Sequence, residues 1–215
     1  MPEFNMHEMF IRMAEEKARK YHELNALAKQ GAVVLAGSSL MENFPVNEML
    51  MSEGSDKIVY NRGISALTID DYSNYLEPCI FELAPKKLFI NIGSNDLNLP
   101  GDTVGNMQKK YRELLKTVMR RLPGCDITLL AFYPVRPAEE AQNVMPDRIV
   151  RTKELVDDAN AAVKALAEEL SLKFMDLNAP LMDKEGYMRA EIATDQIHFS
   201  PAGYVPVLKQ LEPLF

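Results

Sequence analysis

A chain of 215 residues that is 47% hydrophobic and 26% charged is long enough to bury one full core and too apolar for a disordered tail or a fibre. Its 31 acidic residues against 24 basic ones leave a formal charge of −7, which argues against a nucleic acid partner, because phosphate binding is driven by cations that displace counterions. No apolar run nears the roughly 20 residues that span a bilayer and charges stud the first thirty positions, so no membrane insertion is expected and the expected location is cytoplasmic.

In chain order, residues 1–30 place Met6, Met9, Phe10, Met13, Tyr21, Leu24 and Leu27 near helical spacing. This predicts a leading amphipathic helix that packs on the body of the protein and offers a surface for pairing with a second copy as a homo-oligomer. Acidic and basic residues balance along it, unlike the basic polar face of a membrane-surface helix. From Gly31 onward short apolar runs follow one another: Ala32 to Ala36, Ile58 to Tyr60, Leu88 to Ile92, Ile127 to Phe132 and Leu172 to Met175. Runs of this kind read as strands buried on both faces. Helical stripes lie between them, at Met107, Tyr111, Leu114, Leu115, Val118 and Leu122, and at Leu155, Ala159, Ala162, Val163, Leu166 and Leu170.

Strand and helix in alternation imply an α/β fold. The economical form is a single-domain, three-layer α/β/α sandwich around a mostly parallel five-stranded sheet, flavodoxin-like in kind. The longest irregular stretch, Tyr133 to Pro146, reads as one excursion loop. Cys79 and Cys125 stand far apart with no CxxC spacing, so neither a disulfide framework nor a metal is expected. Gly37 lacks the partner glycines of a dinucleotide fingerprint, so no cofactor is expected either.

Parallel sheets bind ligands beyond the carboxyl ends of their strands. Those ends carry Gly37-Ser38-Ser39-Leu40, Asn61-Arg62-Gly63, Gly93-Ser94-Asn95-Asp96 and Tyr133-Pro134-Val135-Arg136. Singly, each is an ordinary turn composition. Near the C-terminus, Asp195-Gln196-Ile197-His198 precedes Ser200 and Pro201, which read as an N-cap and a first helical residue, so His198 sits in a loop able to face the same rim. A serine hydroxyl needs a neutral imidazole to take its proton and a carboxylate to hold that imidazole's tautomer. Asp195 and His198 fit those two roles, and the N–H groups of Ser39 and Gly63 with the Asn95 amide are candidate donors to an oxyanion.

The four blocks Gly37-Ser38-Ser39-Leu40, Asn61-Arg62-Gly63, Gly93-Ser94-Asn95-Asp96 and Asp195-Gln196-Ile197-His198, in this order from about Val33 to Tyr204, resemble those of the SGNH hydrolases, the GDSL-type lipases and esterases. The resemblance implies a nucleophile at Ser39, an oxyanion hole of Ser39, Gly63 and Asn95, and a base and its carboxylate at His198 and Asp195. It further implies a serine hydrolase that cleaves carboxylic esters through an acyl-enzyme. One departure is Ser38, which stands where the family has aspartate and leaves a second hydroxyl beside Ser39. The family covers lysophospholipases, thioesterases, short-chain esterases and carbohydrate deacetylases. With no long apolar lid segment in sight, the preferred substrate is a small ester with a short acyl group, such as acetyl on a carbohydrate or small alcohol. A non-catalytic flavodoxin-like module, holding phosphate or flavin without using Asp195 and His198, is the rival from another class.

The remaining residues carry weaker signals. Asp96 reads as a turn or helix-start acceptor that could also orient Asn95, and Arg136 as a solvated loop cation or a contact for an anionic substrate. Met182 and Tyr187 fit an acyl pocket or the core. Asp102, Glu139-Glu140 and Asp157-Asp158 read as solvated charge.

Overall fold

The computed structural model describes residues 5–99, 101–140 and 151–215. Among them five strands, β1 (Val33–Gly37), β2 (Val59–Gly63), β3 (Lys87–Asn91), β4 (Asp126–Leu130) and β5 (Lys173–Met175), form one sheet in the order β2-β1-β3-β4-β5. Every pairing is parallel, with Gly37 in register with Gly63 on one side and Asn91 on the other. The chain steps outward from β1 to β2, then returns to place β3 on the opposite flank of β1. That reversal opens a crevice above the carboxyl ends of β1 and β3, where such sheets bind ligands.

Alternation along the strands builds the two outer layers. Val34, Ala36, Leu88, Ile90, Ile127 and Leu129 point to one face and are covered by α1 (Met6–Asn25), α4 (Ile69–Ser73), α5 (Leu76–Cys79), α6 (Val104–Arg121) and α7 (Lys153–Glu169). Val33, Leu35, Phe89 and Leu130 point to the other and meet α2 (Ser39–Glu42), α3 (Val46–Ser52) and α8 (Pro201–Leu211). With both faces buried, β1 and the centre of β3 read as unbroken apolar runs, as expected. No helix among the described residues is long and apolar enough to cross a membrane.

The leading helix forms, but on a different stripe from the one its large side chains suggested. Ala14, Ala18, Tyr21 and Asn25 are its buried residues, while Met13, Leu24 and Leu27 are 59%, 52% and 85% exposed. Small alanines let α1 settle closely, and polar contacts then fix it: the Tyr21 hydroxyl donates to the Gly63 carbonyl (2.7 Å), and the Arg62 guanidinium donates to Asn25 Oδ1 (2.8 Å) and stacks over the Tyr21 ring (4.7 Å). His7 and His22 pair at the surface with Asp71 and Glu82. Cys79 is buried and Cys125 half-buried, both as free thiols. Only the first part of the Tyr133 to Pro146 loop lies within the described residues.

Candidate active site

The turn after β1 is shaped by glycine. Gly37 has φ +154°, and a Cβ there would lie 2.1 Å from the Asn91 carbonyl oxygen of β3, so no other residue lets the two strands end side by side. The chain then turns straight into α2, whose first residue is Ser39. Ser38 is buried at the N-cap position, with its own N–H donating to the Asn91 carbonyl (3.3 Å). Of the two neighbouring hydroxyls, Ser39 is the one that meets the histidine. Its Oγ lies 2.8 Å from His198 Nε2, although 159 residues separate them in sequence.

The other imidazole nitrogen is held from behind. Asp195 Oδ2 lies 2.7 Å from His198 Nδ1, while Asp195 Oδ1 accepts from the backbone N–H groups of Ile197 (2.8 Å) and His198 (2.7 Å). One carboxylate therefore shapes the loop and orients the ring it carries. Burial would raise the Asp195 carboxyl, but the His198 contact and the two backbone donors outweigh it and hold the group below its ordinary value, so it stays ionised. Ser200 and Pro201 begin α8 where the sequence placed them, although the Ser200 side chain makes no capping bond.

The candidate amide donors depart from expectation at one position. Gly63 closes β2, and its N–H already donates to Asn61 Oδ1 (2.9 Å). A Cβ on Gly63 would lie 2.2 Å from the Glu42 nitrogen, so its glycine serves close packing against α2, and its amide is not available to a substrate. Three residues on, Ala66 is half-buried at φ +66°, a left-handed conformation that costs an alanine about 1 kcal/mol. Its N–H makes no hydrogen bond among the described residues. Ala66 is bracketed by Ser65, whose N–H is held by Glu42 of α2, and Leu67, whose carbonyl accepts from Asn95 Nδ2 (2.9 Å). Asn95 spends one amide hydrogen on that bond and keeps a second.

Asp96 is a helix-start acceptor, as expected, but for a helix far away in sequence. Its Oδ2 accepts from Ile69 N–H (2.9 Å) at the head of α4, while Lys110 Nζ stands 3.5 Å from Oδ1. Asn95 and Asp96 thus grip residues 67–69 from β3. Complete burial drives the Asp96 carboxyl up to about 6, against the pull of the Ile69 N–H and Lys110. Between about pH 4 and 6 the folded chain keeps a proton that the unfolded chain releases, so stability falls as pH rises through that window. A rise of about two units corresponds to about 3 kcal/mol. In urea titrations, wild type is expected to lose up to that much more stability between pH 4 and 6.5 than Asp96→Asn; parallel curves would refute the assignment.

Arg136 does not wave in solvent. It is buried, with Nη1 donating to the Met188 carbonyl (2.8 Å) and its guanidinium paired with Asp183 and Glu140. Met182 and Tyr187 are half-buried in the neighbouring hairpin-like turn. A second arginine, absent from the expected set, sits close behind the histidine loop: Arg151 is 4% exposed, and its carbonyl accepts from Gln196 Nε2 (3.4 Å). Burial lowers Arg151 to about 10, and the Asp195 charge partly opposes that fall.

Comparison with known proteins bears on this geometry. The profile of the GDSL-like lipase/acylhydrolase family matches residues 40–205, beginning directly after Ser39. Among solved structures, a Streptococcus pneumonia protein provisionally described as a platelet activating factor superposes with a TM-score of 0.84 at 27% identity, over 97% of this chain and 95% of its own. A GDSL-like lipase from Bacteroides thetaiotaomicron shares the fold with a TM-score of 0.69 at 18% identity, over 92% and 98%. So does a mutant of an acetyl-xylooligosaccharide esterase from Geobacillus Stearmophilus, at 0.62 and 21% identity, over 86% and 94%. No curated protein matches the chain. Since the profile extends over most of the sequence and the fold is shared with the superposed structures, the chain belongs to the GDSL-like lipase/acylhydrolase family and is a carboxylic ester hydrolase.

Proposed function

We propose that the chain cleaves esters of a short acyl group through an acyl-enzyme on Ser39, with acetyl esters of carbohydrates or small alcohols as the substrate class. The observation that carries this is the Ser39–His198–Asp195 chain of contacts, at 2.8 Å and 2.7 Å. His198 Nε2 takes the Oγ proton as Oγ bonds to the ester carbonyl carbon. The carbonyl oxygen becomes an oxyanion facing the N–H groups of Ser39 and Ala66 and the free Asn95 amide hydrogen, with Ala66 taking the part first assigned to Gly63. The C–O bond to the alcohol then breaks, and the departing oxygen receives the proton from His198. A water molecule, deprotonated by the same imidazole, attacks the acyl carbon; the acyl–Oγ bond then breaks, Oγ takes the proton back from His198, and the acid departs with Ser39 in its starting state.

The short-acyl preference draws support from the likeness to an acetyl-xylooligosaccharide esterase and from the lack of a long apolar lid segment in the sequence. Two measurements test the proposal together. A fluorophosphonate is expected to add once, to the peptide containing Ser39, and p-nitrophenyl esters are expected to show kcat/KM falling as the acyl chain lengthens beyond butyryl. Labelling elsewhere would refute the nucleophile. Rising efficiency towards decanoyl would move the substrate class to the lysophospholipase or long-chain lipase side.

A further inference from the structure

We infer that Glu42 is a positioning residue that fixes the oxyanion loop to the nucleophile helix, an inference resting on the acyl-enzyme proposal above. Glu42 ends α2, three residues after Ser39. Its two carboxylate oxygens reach in different directions. Oε2 accepts the Ser65 N–H, and Oε1 is paired with Lys17 Nζ of α1. The backbone of the same residue presses on Gly63, where a Cβ would fall 2.2 Å from the Glu42 nitrogen and 2.7 Å from its Cα. Helix α2 and the exit of β2 are therefore joined twice within three residues, once through backbone packing and once through this carboxylate.

The loop that follows β2 is pinned on both sides of Ala66. Upstream, the Arg62 carbonyl accepts from the Tyr72 hydroxyl (2.9 Å), the Gly63 carbonyl from the Tyr21 hydroxyl (2.7 Å), and Ile64 N–H donates to the Gly37 carbonyl (2.9 Å). Downstream, Leu67 is held by Asn95 and Ile69 by Asp96. Glu42 supplies the pin immediately before Ala66. Ala66 occupies a left-handed conformation that an alanine leaves readily when its surroundings relax. Without the Ser65 anchor, a return to negative φ would swing the Ala66 N–H off its line to the oxyanion. Because Ser39 and Glu42 share one short helix, the carboxylate keeps attacking oxygen and donor in a single frame. Misplacing such a group by about 1 Å costs up to about 10²-fold.

The inference separates reach from charge. Glu42→Asp keeps the charge and the Lys17 pairing but is one methylene too short for Ser65; it is expected to lower kcat about 10- to 100-fold with KM within about twofold, since an oxyanion contact forms only in the transition state. The double substitution Lys17→Met with Glu42→Gln keeps an acceptor for Ser65 and removes the charges; it is expected to stay within about threefold of wild type. Affinity for a boronic acid, which becomes a tetrahedral anion on the serine, should fall in Glu42→Asp by the same factor as kcat. Three results would overturn the inference: kcat of Glu42→Asp within twofold of wild type, a loss confined to KM, or a double variant as impaired as Glu42→Asp. Failure of wild type to label at Ser39 would instead overturn the acyl-enzyme proposal, and the positioning role with it.

Discussion

Ser39→Ala and His198→Ala are each expected to reduce kcat on p-nitrophenyl acetate on the order of 10⁶-fold, and the double variant is expected to fall no further. The floor is shared because the two groups act in one event: an Oγ whose proton has no acceptor at 2.8 Å is as idle as an imidazole with no hydroxyl to serve. Asp195→Asn should fall less, by about 10⁴-fold, for a reason specific to this loop. Asparagine can still present an oxygen to the Ile197 and His198 N–H groups that Asp195 Oδ1 now receives, so the loop keeps its shape. Its amide nitrogen would instead face His198 Nδ1, which favours the tautomer that leaves Nε2 protonated and unable to accept from Ser39. Steady-state kinetics on the four variants, with circular dichroism to verify folding, decides the matter. Losses that multiply in the double variant would mean that Ser39 and His198 work independently and would contradict the proposed mechanism.

How far the sequence carried the site depended on what each residue type reveals about its neighbours. The strands were visible because burial on both faces leaves Val33 to Ala36 or Leu88 to Ile90 without a polar position. Strand β2 was cut short at Tyr60, because its exit reads Asn-Arg-Gly and only the fold shows Arg62 buried against Tyr21 and Tyr60. Helices α2 to α5, of four to seven residues, are too short to display a period. One of them did carry a signal: Thr68 and Asp71 form the capping box that opens α4.

The grouping of Ser39, His198 and Asp195 was legible because the short blocks that carry them, each an ordinary turn composition alone, occur together and in order. The proposed amide donors were not legible. A glycine at a strand end advertises a permissive backbone, yet Gly63 spends that freedom on contact with α2 and its N–H on Asn61. Ala66 advertises nothing, because a left-handed alanine is imposed by its surroundings. The same holds for Glu42, whose two partners come from residues 17 and 65 and leave no local pattern to read.

Asn95→Ala is the test of the side-chain donor, with an expected loss of 10²–10³ in kcat and little change in KM. Two roles meet in that amide. One hydrogen goes to the Leu67 carbonyl, beside Ala66, and the other is free for the oxyanion. Removing the side chain therefore deletes one donor and loosens the residue next to a second, so the loss belongs at the upper end of the range. Substrate in its ground state carries a neutral carbonyl that gains little from either donor, which is why KM should hardly move. The two roles separate on stability. Loss of the Leu67 bond should lower the unfolding free energy by about 1 kcal/mol, whereas an oxyanion donor contributes nothing in the absence of substrate. A variant that loses stability but retains kcat would show Asn95 to be a loop anchor alone, and the oxyanion would then rest on the backbone N–H groups of Ser39 and Ala66.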